Sequence, residues 1–341
     1  MAEKITIQDI ADALGLSRNT VSKALNNHPQ IPEQTRNKVI QKAADLKYKN
    51  YSQMKIENIA LLTRSDINAI SFYSETIRGI ETSLSANGYN LILTLVKPED
   101  ILSGNLPVNI QQSNLDGIIS VEIFDKLYMQ KVLGTGIPTV FIDSLPNSLF
   151  EHHKYDVIMV ENELSTYQLT KDLIDRGHQD IGFIGDANHC RSFYERWLGF
   201  TRALSQGGLS NSSQFSIQLE DTNPYLSVDW MTSQIKSLKK LPTAFVCAND
   251  DIAICVIRSL KSLGYQIPTD IEVTGFDDVP NSAIIEPALT TVHTYPYELG
   301  IRVVESLMNR IDRPDRHNET VYLDTSLVWR QSTRQPQKNN P

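Results

Sequence analysis

Three cysteines in 341 residues, Cys190, Cys247 and Cys255, with no C-x-x-C spacing among them, exclude a disulfide framework and a thiolate zinc site. They read as buried free thiols. No apolar run approaches the ~20 residues that span a bilayer, and the opening MAEKITIQDI lacks the apolar stretch of a secretory signal. A soluble, cytoplasmic protein with no membrane partner is expected. G-x-S-x-G, G-x-x-x-x-G-K-[ST] and a post-strand G-x-G-x-x-G are all missing, and the seven histidines offer only the adjacent pair His152-His153, read as a surface loop. The expectation is therefore of no catalytic residues, no metal site and no cofactor. The end of the chain, QSTRQPQKNNP, is polar and proline-containing without heptads, which leaves no coiled-coil tail.

What is present supports two or three folded domains: 40% of the residues are hydrophobic and 21% charged. Charge is unevenly placed. Residues 1–50 carry eight Lys/Arg against five acids, a net +3, so that a whole-chain charge of −8 leaves −11 on the remainder. A small basic head before a large acidic body points to a polyanion partner for the head alone.

From Thr6 to Leu46 the head reads as three short helices. Thr6 and Asp9 form a capping box, and Ile7, Ile10, Ala11 and Leu14 make one apolar stripe that Gly15 ends. Ser17 caps a second helix, Arg18 to Leu25, with Val21, Ala24 and Leu25 inward. A third begins at Pro32 and packs Val39, Ile40, Ala43 and Leu46 beneath the others. Small Ala11, permissive Gly15 and the plug Val21 together specify a helix-turn-helix. In that geometry the second helix enters a DNA major groove, with Arg18, Asn19, Ser22 and Lys23 facing base edges. Ser17, Thr20, Asn26 and Arg36 suit phosphate oxygens.

The stretch IQDIADALGLSRNTVSKALNNHPQIPEQTRNKVIQKAADLKY, above all its T-V-S-K-A-L-N and T-R-x-K-V blocks, resembles the DNA-binding head of the LacI/GalR family of bacterial transcription regulators, and the likeness continues almost to the chain's end. The resemblance implies a hinge after the head that wedges an apolar side chain into the minor groove. Here only Lys49 to Asn58 separate Tyr48 from the first strand, so a truncated or absent hinge helix is expected, with Met54 the one apolar residue left that could act as the wedge and not expected to do so.

From Ile59 onward, strand candidates alternate with helical stretches, the pattern of parallel α/β sheets. The first half offers strands at 59–63, 89–96, 116–121, 138–143 and 156–160, the second at 181–186, 215–220, 243–249 and 272–277. A last one, VYLDTSLVWR, must rejoin a sheet. The expected fold is a small all-α helix-turn-helix head followed by a two-lobed α/β periplasmic-binding-protein-like body with two doubly wound parallel sheets. Its expected divisions are a head at 1–48 and a shortened linker at 49–58, then an N-terminal lobe at 59–160 plus about 293–320. The C-terminal lobe takes 161–292 plus about 321–334, and 335–341 form a polar tail.

In open α/β sheets ligands bind beyond the carboxyl ends of the strands. The polar residues there include Asp143, Asn249-Asp250 and Asp277-Asp278, with Phe72-Tyr73 and Glu195-Arg196 nearby. The resemblance implies ligand contacts at Arg196, Asn249 and Asp277, and an aromatic wall at Phe72 and Tyr73. Cys190 stands where a purine-responsive member of the family has an arginine, which weakens a purine ligand. Carboxylate, amide and guanidinium groups beside aromatic rings suit a polyhydroxylated ring. Asp250 and Asp278 are expected to be helix caps, Arg196 could merely pair with Glu195, and Asp186, Glu161, Tyr225 and Trp230 are secondary candidates.

The function expected is a sequence-specific repressor, a homodimer on double-stranded operator DNA, controlled by a small molecule, most simply a carbohydrate. The alternatives are a cytoplasmic solute-binding protein with a vestigial head, a nucleobase-responsive regulator, and, more weakly, a sugar-modifying enzyme.

Overall fold

The computed structural model describes residues 5–25, 31–46, 48, 57–65, 70–112, 115–146, 155–209 and 212–334, with backbone alone at 33, 44, 57, 70–72 and 212. Two compact units divide it, Met1–Glu57 and Asn58–Pro341. The expected hinge residue Met54, the pair His152-His153 and the tail 335–341 lie outside the described residues.

The first unit holds α1 (Ile7–Leu14), α2 (Arg18–Leu25) and α3 (Glu33–Asp45). Asp9 Oδ2 accepts from the Thr6 amide at 2.7 Å and Thr6 Oγ1 from the Asp9 amide at 3.4 Å, which completes the capping box. Gly15, at φ 64°, turns the chain in a conformation that a side chain would strain. Ser17 Oγ then accepts from the Thr20 amide at 3.0 Å and starts α2. Ile10, Ala11, Val21, Ala24, Val39 and Ala43 are completely buried together. Ile40, about 100° round the helix from buried Val39, is only half-buried and outside this core. Buried Tyr48 joins the core instead.

The second unit opens with β1 (Glu57–Arg64), α4 (Ile70–Ala86), β2 (Tyr89–Val96), α5 (Pro98–Ser103), α6 (Val108–Gln112), β3 (Gly117–Val121), α7 (Lys126–Leu133), β4 (Thr139–Ile142) and β5 (Asp156–Val160). It continues through α8 (Glu163–Asp175), β6 (Ile181–Ile184), α9 (Arg191–Gln206), α10 (Val228–Ser237), β7 (Ala244–Cys247), α11 (Asp250–Ser262), β8 (Glu272–Thr274) and α12 (Pro280–Ile284). The chain then forms β9 (Thr291–His293), α13 (Pro296–Asp312), β10 (Thr320–Leu323) and β11 (Ser326–Val328).

One sheet has the order β10-β5-β4-β3-β1-β2, the other β6-β7-β8, and β9 pairs antiparallel with β11. Alternation divides the first sheet's side chains between two cores: Ile59 and Leu61 pack with α4 and α13, Ala60 and Leu62 with α6 and α7. The crossing of α4 and α13 needs two glycines, because a Cβ on Gly79 would lie 2.1 Å from Tyr297 O and one on Gly300 2.2 Å from Thr76 O. Residues of α8 to α11 bury the second sheet in a core of their own.

Three short segments carry the chain between the sheets: 161–162 after β5, 294–295 after β9, and 324–325 after β10. The last lies a few residues beyond the expected position near 320, because Thr320 to Leu323 pair in parallel with Val157 to Val160 of the first sheet. The expected strand at 215–220 is also not formed; Ile217 makes one isolated bridge to Ile184. No helix among the described residues is long and apolar enough to cross a membrane.

Candidate functional site

Two places in the chain offer chemistry to a partner, one in each unit. On α2 the first turn exposes Arg18 and Asn19, with Ser22 and Lys23 half-buried on the next, while Val21 and Ala24 hold the opposite face in the core. The hydroxyls of Ser17 and Thr20 bond to each other at 2.8 Å. Arg36 Nη2 donates to Ile31 O at 3.2 Å, so part of its guanidinium is directed into the head. Asn26 is outside the described residues.

In the second unit a cavity opens where the carboxyl ends of the two sheets face each other. Tyr73 of α4, Asp143 after β4, Arg196 of α9, Asn249 after β7 and Asp277 after β8 all line it. Five of the six expected ligand contacts thus share one cavity. Phe72, the sixth, lies on α4 with its side chain outside what is described.

Three of the carboxylates at strand ends sit on left-handed backbone: Glu122 at φ 56°, Asp143 at φ 63° and Asp277 at φ 108°. Such conformations cost on the order of 1–3 kcal/mol each and persist where surrounding structure fixes them. Arg196 does so for Asp277, donating from Nη2 to Asp277 Oδ1 at 3.0 Å while its Nε bonds Asn162 Oδ1 at 2.9 Å and its Nη1 bonds Ala248 O at 2.7 Å. Its guanidinium lies 3.7 Å above the Phe276 ring. The reading in which Arg196 merely pairs with Glu195 is therefore corrected; Glu195 is engaged by Arg191 Nε at 2.8 Å. Burial pushes the Asp277 carboxyl up to about 6, with Arg196 opposing the shift.

Asp143 Oδ1 accepts from the amides of Ser144 at 2.6 Å and Ser192 at 3.2 Å, the second from the opposite lobe. Tyr73 donates its hydroxyl to Glu122, whose carboxyl burial raises although that bond opposes it. Asn249 Oδ1 caps α11 by accepting from the Ile252 amide at 2.9 Å. This corrects the expected caps. Asp250 is buried, accepting from Thr291 Oγ1 at 2.6 Å and the Val279 amide at 3.0 Å, and Asp278 accepts from Arg330 Nη2 at 2.6 Å.

The sequence reading missed Glu122, Phe124, His189, Ser192, Phe193 and Asp251, all of which line the cavity. Glu122 follows β3 by one residue, so the strand-end rule would have found it. Asp251 is the next residue after Asp250 and points about 100° away from it. His189 lies between Phe124 and Phe193, at ring-centroid distances of 5.3 and 5.2 Å, and pairs with Asp221 at 2.6 Å. Burial disfavours its cationic form, but Asp221, Glu122 and Asp143 together outweigh burial and raise its pKa. Of the secondary candidates, Glu161 accepts from the Ser165 amide at 2.9 Å, Asp186 from the Asn188 amide at 2.8 Å, and Tyr225 packs on Trp230; none lines the cavity. Among the described residues no group of His, Cys, Asp and Glu could hold a metal ion, and the three cysteines are buried and free.

Residues 6–50 match the family model described as bacterial regulatory proteins, lacI family, and residues 170–333 match that of a periplasmic binding protein-like domain. The chain is 28% identical over 342 residues to the probable HTH-type transcriptional repressor ExuR of Bacillus subtilis (strain 168), covering 97% of this chain and 98% of that one. Its fold is similar to the lac repressor dimer bound to operator and the anti-inducer ONPF, at a TM-score of 0.72 and 23% identity, covering 97% of this chain and 99% of that one. It is also similar to a transcriptional regulator CelR–cellobiose complex, at a TM-score of 0.70 and 22% identity, covering 96% and 99%.

Proposed function

This chain belongs to the lacI family of bacterial regulatory proteins, and from that premise we propose that it is a cytoplasmic transcriptional repressor that reads operator DNA as a homodimer and responds to a sugar or sugar derivative held in the cleft. The observation that carries the reading is the convergence of Tyr73, Asp143, Arg196, Asn249 and Asp277 on one cavity, in a chain whose α2 also exposes Arg18 and Asn19. It is a binding protein rather than an enzyme.

The α2 helix seats its first turn in the major groove, where Arg18 and Lys23 reach guanine O6/N7 and Asn19 pairs with adenine, while Ser22 contacts an adjoining base edge. Ser17, Thr20, Asn26 and Arg36 hold phosphates and fix the register. One short helix reads too few base pairs, so two heads are needed on one duplex. The second copy docks on β2, the outer strand of the six-stranded sheet. There Leu93 and Leu95 stay 54% and 56% exposed beside an apolar hollow formed with Thr76, Ile77 and Ile80. A sugar in the cleft touches both lobes, Tyr73 and Asp143 on one side and Arg196 and Asn249 on the other, so it favours one lobe arrangement. Operator affinity can change by no more than that preference.

Gel-shift titration on the DNA upstream of its own gene tests the head. Changing Arg18, Asn19 and Lys23 together to alanine should abolish specific binding, each good bidentate base contact contributing ~1–3 kcal/mol. Unchanged binding would refute the assignment. In thermal-shift screens with mono- and disaccharides, a ligand at 100 times its Kd adds ~2.7 kcal/mol, and Arg196→Ala should remove that response. A nucleobase is the second reading, favoured by the aromatic rings of Phe124 and Phe193; both already pack on His189.

A further inference from the structure

The charge of the cleft lining is lopsided. Glu122, Asp143, Asp251 and Asp277 face it against Arg196 and His189 alone. Both basic groups are already engaged by the protein. All three nitrogens of Arg196 donate to Asn162, Ala248 and Asp277, and His189 is paired with Asp221, an acid outside the lining. On the acidic side, Asp277 gives Oδ1 to Arg196 and leaves Oδ2 open. Asp251, on the first turn of α11, has no hydrogen bond or ion pair among the described residues. The two carboxylates are close enough that Asp251 disfavours ionisation of Asp277.

An anion entering this space would add a further negative charge beside acids that already oppose one another, and both cations facing it are already paired with an acid. Hydroxyl groups can donate to the open oxygens. An ammonium group can donate to them and also relieve their repulsion, and hydrogen bonds to charged partners are the stronger kind. The surrounding cavity, walled by Tyr73, Phe124 and Phe193, has room for a ring to carry that group.

We propose that the cleft selects its sugar by charge: it takes an amine-bearing sugar, with the ammonium seated between Asp251 and Asp277, and rejects sugars that carry a carboxylate or phosphate. This rests on the reading of the cleft as the effector site. It narrows the ligand to one chemical class and assigns to Asp251 the discrimination between that class and neutral sugars.

The test is calorimetric titration of the full chain with matched sets: glucose, glucosamine, glucuronate and glucose 6-phosphate, and the corresponding galactose and mannose compounds. In whichever ring series binds, the amine should be about tenfold tighter than the neutral parent, and the uronate and phosphate about tenfold or more weaker. In Asp251→Asn the ratio of amine to parent should fall to about one. A uronate or sugar phosphate that binds as tightly as the parent overturns the charge selection while leaving the sugar reading intact. So does an amine preference that persists in Asp251→Asn. Silence from every sugar in all three series overturns the sugar reading itself, and this inference with it.

Discussion

Acidic side chains stand at both ends of the strands in this body, and the two ends treat them differently. At the amino ends, Asp156 of β5 receives Arg310 through Nε at 2.9 Å and Nη2 at 2.8 Å, Arg316 at 2.8 Å, and the Glu319 amide at 2.9 Å. Glu272 of β8 receives Arg176 at 2.5 Å and Arg334 at 2.6 Å, with His178 at 3.3 Å. Burial alone would raise the Glu272 carboxyl, but His178, Arg334 and Arg176 bring it down to about 2. At the carboxyl ends, Asp277 has one arginine nitrogen and an open oxygen, and it titrates near 6. On the proposed reading of the cleft, the difference separates acids that close a structure from an acid that keeps an oxygen for a ligand. Asp156 and Glu272 are completely buried and hold several donors each, whereas Asp277 is partly buried and holds one.

The sharpest way to break this comparison is to remove one saturated acid. Asp156→Ala leaves buried Arg310 without its counter-ion, and Arg316 with Glu319 alone, and should cost about 3–5 kcal/mol in denaturant unfolding. A loss below ~1 kcal/mol would place Asp156 with the cleft acids.

The pH dependence should have opposite signs at the two ends. Glu272 has a lowered pKa, so its contribution is present above the ordinary glutamate value and is lost as pH falls toward 2, a change on the order of 2–3 kcal/mol. Asp277 has a raised pKa, so its neutral form contributes stability below the ordinary aspartate value, and that contribution disappears as pH rises through about 6. Unfolding midpoints across pH 3 to 8 read both. Glu272→Gln should flatten the acid limb and Asp277→Asn the limb near 6; the same slope in both variants contradicts the assignment.

At pH 5, where Asp277 is mostly protonated already, Asp277→Asn should change the stability of the unliganded protein by less than ~1 kcal/mol while removing the ligand-induced thermal shift. The smallest effect belongs to the Asn249 cap. Asn249→Ala should cost about 1 kcal/mol, and Asn249→Asp should keep the helix start intact, as read by thermal unfolding without ligand.

What could be read from the sequence follows from how local each signal is. The head is specified by neighbours: Thr6 with Asp9, Gly15 at the turn, and Val21 buried between helices. Strands β2 and β5 fall where alternation and apolar runs place them, at 89–96 and 156–160. The run 215–220 has the same composition, but strand formation needs a partner along its length, and Ile217 finds one only at Ile184. In the cleft, the strand-end rule reached Asp143, Asn249 and Asp277, because topology alone puts those positions at a crevice. His189 and Phe193 have no such signal, since they enter the cavity from a loop and a helix turn set by tertiary packing. Asp250 and Asp251 were indistinguishable as letters; a helical rotation sends one into the core and the other to the cavity.

The parallel pairing of Thr320–Leu323 with β5 has a consequence for synthesis on the ribosome. The first sheet acquires its outer strand only when almost the whole chain has emerged, whereas the head has all its core residues once Tyr48 has been made. At ~5–20 residues per second, tens of seconds separate the two events. For that interval a nascent chain carries a folded head attached to a body whose first sheet is still one strand short.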